Sequence, residues 1–132
     1  MMEAADVLGV SFESFHDVTL EAIVRYAGAS GDFTSIHWNA HDAREAGYDT
    51  FFAMGMLPAG WLSALLVRSF GPGSVQSFSV RFRSRSWLGL RVRCTAEGRE
   101  LGPEPDQVVV TIAAVGPDGE VLVDGTATVA IA

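Results

Sequence analysis

Apolar positions along this 132-residue chain change their period once, near residue 74. Before that point they recur at helical spacing. Leu20, Ile23, Val24 and Ala27 keep to one face of "LEAIVRYAGAS". Thr19 can cap that helix, Glu21 suits its first turn, and Gly28 or Gly31 can end it. "NAHDAREAG" predicts a short helix between Asn39 as cap and Gly47 as stop. "MGMLPAGWLSALLVRSFG" predicts the longest one, with Leu57, Trp61, Leu62, Leu65 and Leu66 on a wide apolar face. Ala59, Gly60 and Ala64 keep much of the rest small, and a helix apolar on nearly every side is one that other structure surrounds.

From Ser74 onward the period is two. Val75, Phe78, Val80 and Phe82 open an alternating run, with Arg81, Arg83 and Arg85 assigned to the opposite face. "LGLRVRCTAEG", "DQVVVTIAAVG" and "EVLVDGTATVAIA" predict three further strands, and the Asp-Gly of "GPDGE" suits a hairpin between the last two. A short strand, "GVSFESFHDV", precedes the helices on an imperfect alternation of Val10, Phe12 and Phe15. No repeat, low-complexity tract or linker divides the chain. The expectation is one α+β domain over residues 1–132, with an antiparallel sheet laid against one long buried helix.

Composition narrows the classes. The chain is 48% apolar and 19% charged, which suits a globular domain and no disordered or collagen-like one. Its formal net charge of −7 gives a nucleic-acid partner no electrostatic support. The single cysteine, Cys94, cannot form an internal disulfide and sits in an alternating run that would bury it. The opening "MMEAADVLGV" carries acids where a secretory signal needs bases, so a cytoplasmic protein is expected. Thr50 to Val67 holds no charge and reaches the lower edge of membrane-spanning length, but Gly55, Pro58, Gly60 and Ser63 interrupt it. A buried core helix is the better reading, with no membrane span.

Candidate chemistry concentrates in "SGDFTSIHWN", where Asp32 and His37 lie five positions apart. On a continuous helix five positions turn about 500°, leaving the two side chains roughly 140° apart. Convergence therefore needs a bend, which Gly31, Thr34 and Ser35 can supply. A carboxylate and an imidazole on one water can share its activation. Taken alone, the same spacing also suits a capping acid and a satisfied histidine. "MGM" at 54–56 adds free N–H groups at a helix N-terminus, with Gly55 as candidate oxyanion donor or simply the glycine of a tight turn. His37 and His41 are four apart, yet no second cluster at metal-ligand spacing accompanies them, so neither metal nor cofactor is expected. His16, beside Asp17 near a strand end, reads as a surface residue.

"SGDFTSIHWNAHDAREAGY" followed by "AMGMLPAG" resembles the MaoC-like (R)-specific enoyl hydratases and 3-hydroxyacyl dehydratases, particularly single-hotdog subunits. "VQSFSVRFRSRSWLGLRVR" and "VLVDGTATVAIA" resemble strands of the same family, extending the likeness over about residues 5 to 132. The resemblance implies a hotdog fold, a curved antiparallel sheet wrapped around a central helix and paired into a dimer. It implies reversible dehydration of (3R)-3-hydroxyacyl thioesters of coenzyme A or acyl-carrier protein, by a homodimer or by a heterodimer with another hotdog subunit. Asp32 and His37 match the catalytic pair, Gly55 the donor to the thioester carbonyl, and Ser63 a hydroxyl position near the pair. The family pattern runs "GDxNPxH" and then "HGM"; here Thr34-Ser35 replace Asn-Pro and Met54 replaces the histidine, so the resemblance implies Thr34 and Met54 beside Gly55 and Ser63 at the substrate, with the proline's rigid bend lost and the pocket's polarity changed. Arg81, Arg83, Arg85, Arg91 and Arg93 form a basic cluster in an acidic chain. They suit solvated strand faces or, for Arg81, Arg83 and Arg85, a dock for the carrier's phosphates or for an acidic carrier protein. A thioesterase on the same fold, or a weakly active subunit of a heterodimeric dehydratase, are the alternatives.

Overall fold

The computed structural model describes residues 2–131. Its strands and helices run β1 (Ser11–Asp17), α1 (Leu20–Ser30), α2 (Ala40–Glu45), β2 (Phe52–Ala53), α3 (Met56–Phe70), β3 (Val75–Phe82), β4 (Ser86–Trp87), β5 (Arg91–Leu101), β6 (Gln107–Val115) and β7 (Val121–Ala130). Five strands make one antiparallel sheet in the order β1-β5-β6-β7-β3, and β2 pairs with β4 in a separate two-stranded ladder. Both edges of the large sheet belong to elements distant in sequence from their partners, so β1 must return beside β5 and β3 beside β7.

Capping chemistry fixes the helix ends. Thr19 Oγ1 accepts from the Ala22 N–H at 3.0 Å, and Asn39 Oδ1 accepts from the Asp42 N–H at 3.1 Å. Gly31 closes α1 in the left-handed conformation at φ 78°, which turns the chain into the loop that carries Asp32. The core forms where α3 lies on the inner face of the sheet. Leu62 and Leu66 are fully buried against inward Val92, Cys94, Val110, Ile112, Leu122 and Val129. Burying such side chains contributes on the order of 1.5–3 kcal/mol each, which makes this contact the main source of stability. Cys94 is buried as expected, and burial pushes its thiol pKa up to about 11.

Three expectations need correction. The helix α3 is not surrounded on all sides: Met56, Gly60, Ala64, Val67 and Arg68 leave a stripe of its surface open. Phe82, expected to point inward, is 58% exposed. Val75 and Phe78 are an odd number of positions apart; a register shift between Val75 and Ser77 restores their phase, and both pack against the core. Arg85 lies beyond the end of β3, in the turn before β4, so it shares no strand face with Arg81.

His16 also departs from expectation. It sits half-buried on the inner face of β1 with Phe12 and Ser14, its ring stacked on Trp61 of α3 at 4.6 Å and 8°. Burial and then the Arg68 charge hold its pKa below the ordinary histidine value, against a smaller opposing effect of Asp17. A histidine whose folded pKa is depressed takes up its proton more readily in the unfolded chain. Stability therefore falls as pH drops through the ordinary histidine range, and His16→Phe, which keeps a ring on Trp61, should flatten that part of a denaturation-versus-pH profile. An unchanged profile would refute the assignment.

Candidate active site

The loop from Ser30 to Asn39 bends through two successive tight turns. Thr34 donates to Asp32 Oδ1 twice, from its backbone N–H at 3.1 Å and from its hydroxyl at 2.7 Å. That turn is followed by a 3-10 turn over Ser35–His37. Trp38 Nε1–H then donates to the Phe33 carbonyl at 3.0 Å, stapling the loop across its base. The missing proline is thus replaced by side-chain hydrogen bonds. Thr34, expected near substrate, acts on Asp32 itself.

These bonds set the state of the acid. The Thr34 hydroxyl, the Thr34 N–H and, to a lesser extent, the nearby His37 charge hold the Asp32 pKa below the usual carboxylate value. Asp32 is consequently ionised at neutral pH, with Oδ1 engaged by Thr34 and Oδ2 without a hydrogen-bond partner among the described residues.

His37 is held just as specifically. His37 Nδ1 lies 2.8 Å from the Phe52 carbonyl oxygen. A carbonyl can only accept, so Nδ1 carries the proton and the lone pair of the neutral ring is on Nε2. The ring also meets Phe52 edge-on at 5.2 Å, and Phe52 in turn contacts Tyr48 at 4.8 Å and Trp87 at 5.4 Å. One residue of the short ladder therefore fixes both the tautomer and the tilt of His37.

Gly55 begins α3 three residues beyond Phe52, a span of at most roughly 10 Å. Its N–H donates to no group among the described residues. A Cβ built there would stand 3.0 Å from the Phe82 ring, so even alanine crowds this point. Gly55 lines a cavity of about 300 Å³ with Phe52, Ala53 and residues 82–86. Neither Asp32 nor His37 borders that cavity; Phe52 stands between it and the pair. Met54 is buried in the core, and Ser63 is half-buried on α3. Trp61, two positions from Ser63 and so on the opposite flank of the helix, is committed to His16.

The arginines separate into groups. Arg91 pairs with Asp17 at 3.5 Å and Arg93 with Glu13 at 2.8 Å, stitching β5 to β1. Arg83 pairs with Asp124 at 3.0 Å. Arg81 and Arg83 line a saddle on the sheet with Arg99, whereas Arg85 lines the Gly55 cavity, and Arg83 borders both. Sequence reasoning gave no sign of Tyr48, Phe52 and Trp87 as a supporting box, because their contact depends on a two-residue pairing. His41 stands 3.9 Å from Glu45, both well exposed, and no group of three His, Cys, Asp or Glu side chains that could hold a metal occurs among the described residues. No helix among them is long and apolar enough to cross a membrane.

Replacing Thr34 by valine removes the hydroxyl bond while keeping the N–H. Carboxyl-carbon NMR of Asp32 should then titrate at higher pH than in the wild type, back toward the ordinary range. A shift downward, or none, would sink the account of how the acid is held.

Comparison with known proteins identifies the family. Residues 9–116 match the MaoC like domain family. An (R)-specific enoyl-CoA hydratase of Rhodospirillum rubrum is 35% identical over 83% of this chain and 76% of its own length. A 3-hydroxybutyryl-CoA dehydratase of Methylorubrum extorquens is 32% identical over 87% of the chain and 74% of its own length. Among solved structures, an unliganded R-hydratase from Pseudomonas aeruginosa superposes with a TM-score of 0.88, at 24% identity, covering 98% of this chain and 84% of that one. With the family model matched over most of the chain's length and the fold shared, the chain belongs to the MaoC-like domain family and has its hotdog fold.

Proposed function

We propose that this chain is a hydro-lyase that interconverts (3R)-3-hydroxyacyl and trans-2-enoyl thioesters. The observation that carries the reading is the state of the loop pair: an ionised Asp32 with a free oxygen beside a His37 whose free nitrogen is Nε2. The names of the family relatives, a hydratase and a dehydratase of CoA thioesters, support it and favour coenzyme A as carrier. A CoA-thioester substrate is consistent with a protein of the cytoplasm.

In the hydration direction Asp32 Oδ2 and His37 Nε2 orient one water. Thr34 keeps Asp32 ionised, so His37 is the group that takes the water proton as oxygen bonds to Cβ. Charge moves to the thioester oxygen, where the Gly55 N–H at the start of α3 receives it. The proton returns to Cα, and water has been added across the double bond with nothing oxidised or reduced. By the family resemblance Ser63 supplies a hydroxyl to the site, while Met54, buried in the core, supports the start of α3 rather than lining the cavity. Arg81 and Arg83, with Arg99 beside them, form the dock for the carrier's phosphates.

The active form is a dimer. Phe33 at 63% exposure, Phe82 at 58%, Met56 at 47% and Trp38 at 43% are large apolar side chains near the loop pair and Gly55. An exposed apolar set of this kind marks a contact surface. A second copy covering it would enclose the pair and the Gly55 N–H in one water-poor site. A different hotdog subunit could occupy the same surface.

Two measurements decide these points. Asp32→Asn and His37→Ala should each lower the hydration rate of a 2-enoyl-CoA by about 100-fold or more, followed by loss of enoyl absorbance. Near-wild-type rates in both variants would end the proposal, and release of free thiol without enoyl chemistry would replace it with a thioesterase. Light scattering of the purified chain should give twice the 14.1 kDa monomer mass. A monomer that gains activity only when a second hotdog chain is added would point to the heterodimer.

A further inference from the structure

A thioester substrate divides at its carbonyl. Cα and Cβ must lie with Asp32 and His37, neither of which borders the Gly55 cavity. With the carbonyl on the Gly55 N–H, the cavity is left to the other side of the molecule, the sulfur and the carrier arm behind it. Phe52 marks the division: its ring meets the His37 ring at 5.2 Å and the Arg85 guanidinium at 5.5 Å. That guanidinium also lies 4.7 Å from the centre of the Tyr48 ring, with one nitrogen 3.5 Å from the Tyr48 hydroxyl. Stacking of this kind holds the plane of the guanidinium and leaves most of its edge N–H groups free. Arg85 makes no ion pair among the described residues, whereas Arg83, the other cation on this cavity, is engaged by Asp124. Ser84 and the buried Ser86 add hydroxyls to the wall.

Length decides which group of the arm Arg85 meets. A cavity of 300 Å³ is about 8 Å across if spherical, whereas two amide-linked units and a further carbon segment separate a carrier's phosphate from its sulfur by roughly 15 Å when extended. The oxygen of the arm's first amide lies only roughly 7 Å from the thioester carbon. The amide therefore falls inside the cavity and the phosphate outside it. Arg83 borders both this cavity and the saddle that holds Arg81 and Arg99, so an arm leaving past Arg83 comes to the cations assigned to the phosphates. A guanidinium edge donates to an amide oxygen, and serine hydroxyls can accept from the amide N–H. We infer that Arg85 binds the first amide of the carrier arm, so that the Gly55 cavity selects thioesters of amide-bearing thiols. The inference rests on the hydro-lyase reading above and names the part of the substrate that this cavity holds.

The test compares two trans-2-butenoyl thioesters that carry no phosphate, that of N-acetylcysteamine and that of 1-pentanethiol, in which carbons replace the amide. Wild type should favour the N-acetylcysteamine thioester at least tenfold in kcat/KM, and Arg85→Met should lower that ratio at least tenfold. Arg85→Lys should fall between them, and Arg91→Met, which does not line the cavity, should leave the ratio alone. Hydration of butenoyl-CoA should fall in Arg85→Met by the same factor as hydration of the N-acetylcysteamine thioester. Equal wild-type rates on the two small thioesters overturn the proposal. A proportional loss on both in Arg85→Met does so as well, since it would make Arg85 a support for Phe52 and His37 only. A loss confined to butenoyl-CoA would assign Arg85 to the carrier's phosphates and overturn it too. If none of the three thioesters is hydrated, the hydro-lyase reading fails by itself. Calorimetry with butenoyl-pantetheine, which also lacks phosphate, then decides: binding that weakens tenfold in Arg85→Met upholds the Arg85 assignment, and binding equal to wild type ends it.

Discussion

The Phe52 carbonyl accepts the one hydrogen bond that the candidate base's ring makes among the described residues, yet Phe52 belongs to a ladder of two residues per strand. So short a pairing has little stability of its own. It persists because Phe52, Ala53 and Met54 are buried at the start of α3, and α3 is fixed by the sheet. The tautomer of His37 therefore depends on the packing of the whole core through one backbone oxygen. Anything that lets α3 shift along its axis moves that oxygen, and the Nε2 lone pair with it.

The same dependence explains where polarity is tolerated. The inner sheet face is apolar from β5 to β7, while β1 at its edge presents Phe12, Ser14 and His16. An edge strand is half-solvated, so polar inward groups cost less there. His16 meets its cost by stacking on Trp61, on the flank of α3 opposite Ser63. The helix thus holds His16 on the flank that faces the sheet edge. At its N-terminus, the Phe82 ring against Gly55 keeps the free N–H next to apolar surface, where a bond to a developing charge is worth more than in water.

Local rules carried much of this into the sequence. Thr19 and Asn39 cap where their positions suggest, and the alternating runs became strands within a few residues of their expected bounds. Asp32, His37 and Gly55 could be singled out because a flexible acid–histidine loop and a glycine at a helix start are local features. What stayed hidden was set by partners far along the chain. His16 meets Trp61 across 45 positions, and no neighbour in sequence announces it. The ladder of β2 with β4 is too short to show a period. Arg85 looked like a continuation of Arg81 and Arg83 because alternation counts positions without seeing where the strand stops. The open stripe on α3 was missed for a related reason: apolar composition does not record which flank of a helix the rest of the chain covers.

Thr34-Ser35 then takes on a different meaning from a degraded Asn-Pro. A proline fixes one dihedral angle of the loop and leaves the acid to find its own partners. A threonine two residues beyond the acid fixes the loop through the acid itself, because its N–H and hydroxyl converge on one carboxylate oxygen. Geometry and ionisation are coupled here: protonating Asp32 would weaken the two bonds that shape the turn carrying His37. The charged state of Asp32 is therefore the one in which both bonds are strongest and its other oxygen remains free to accept.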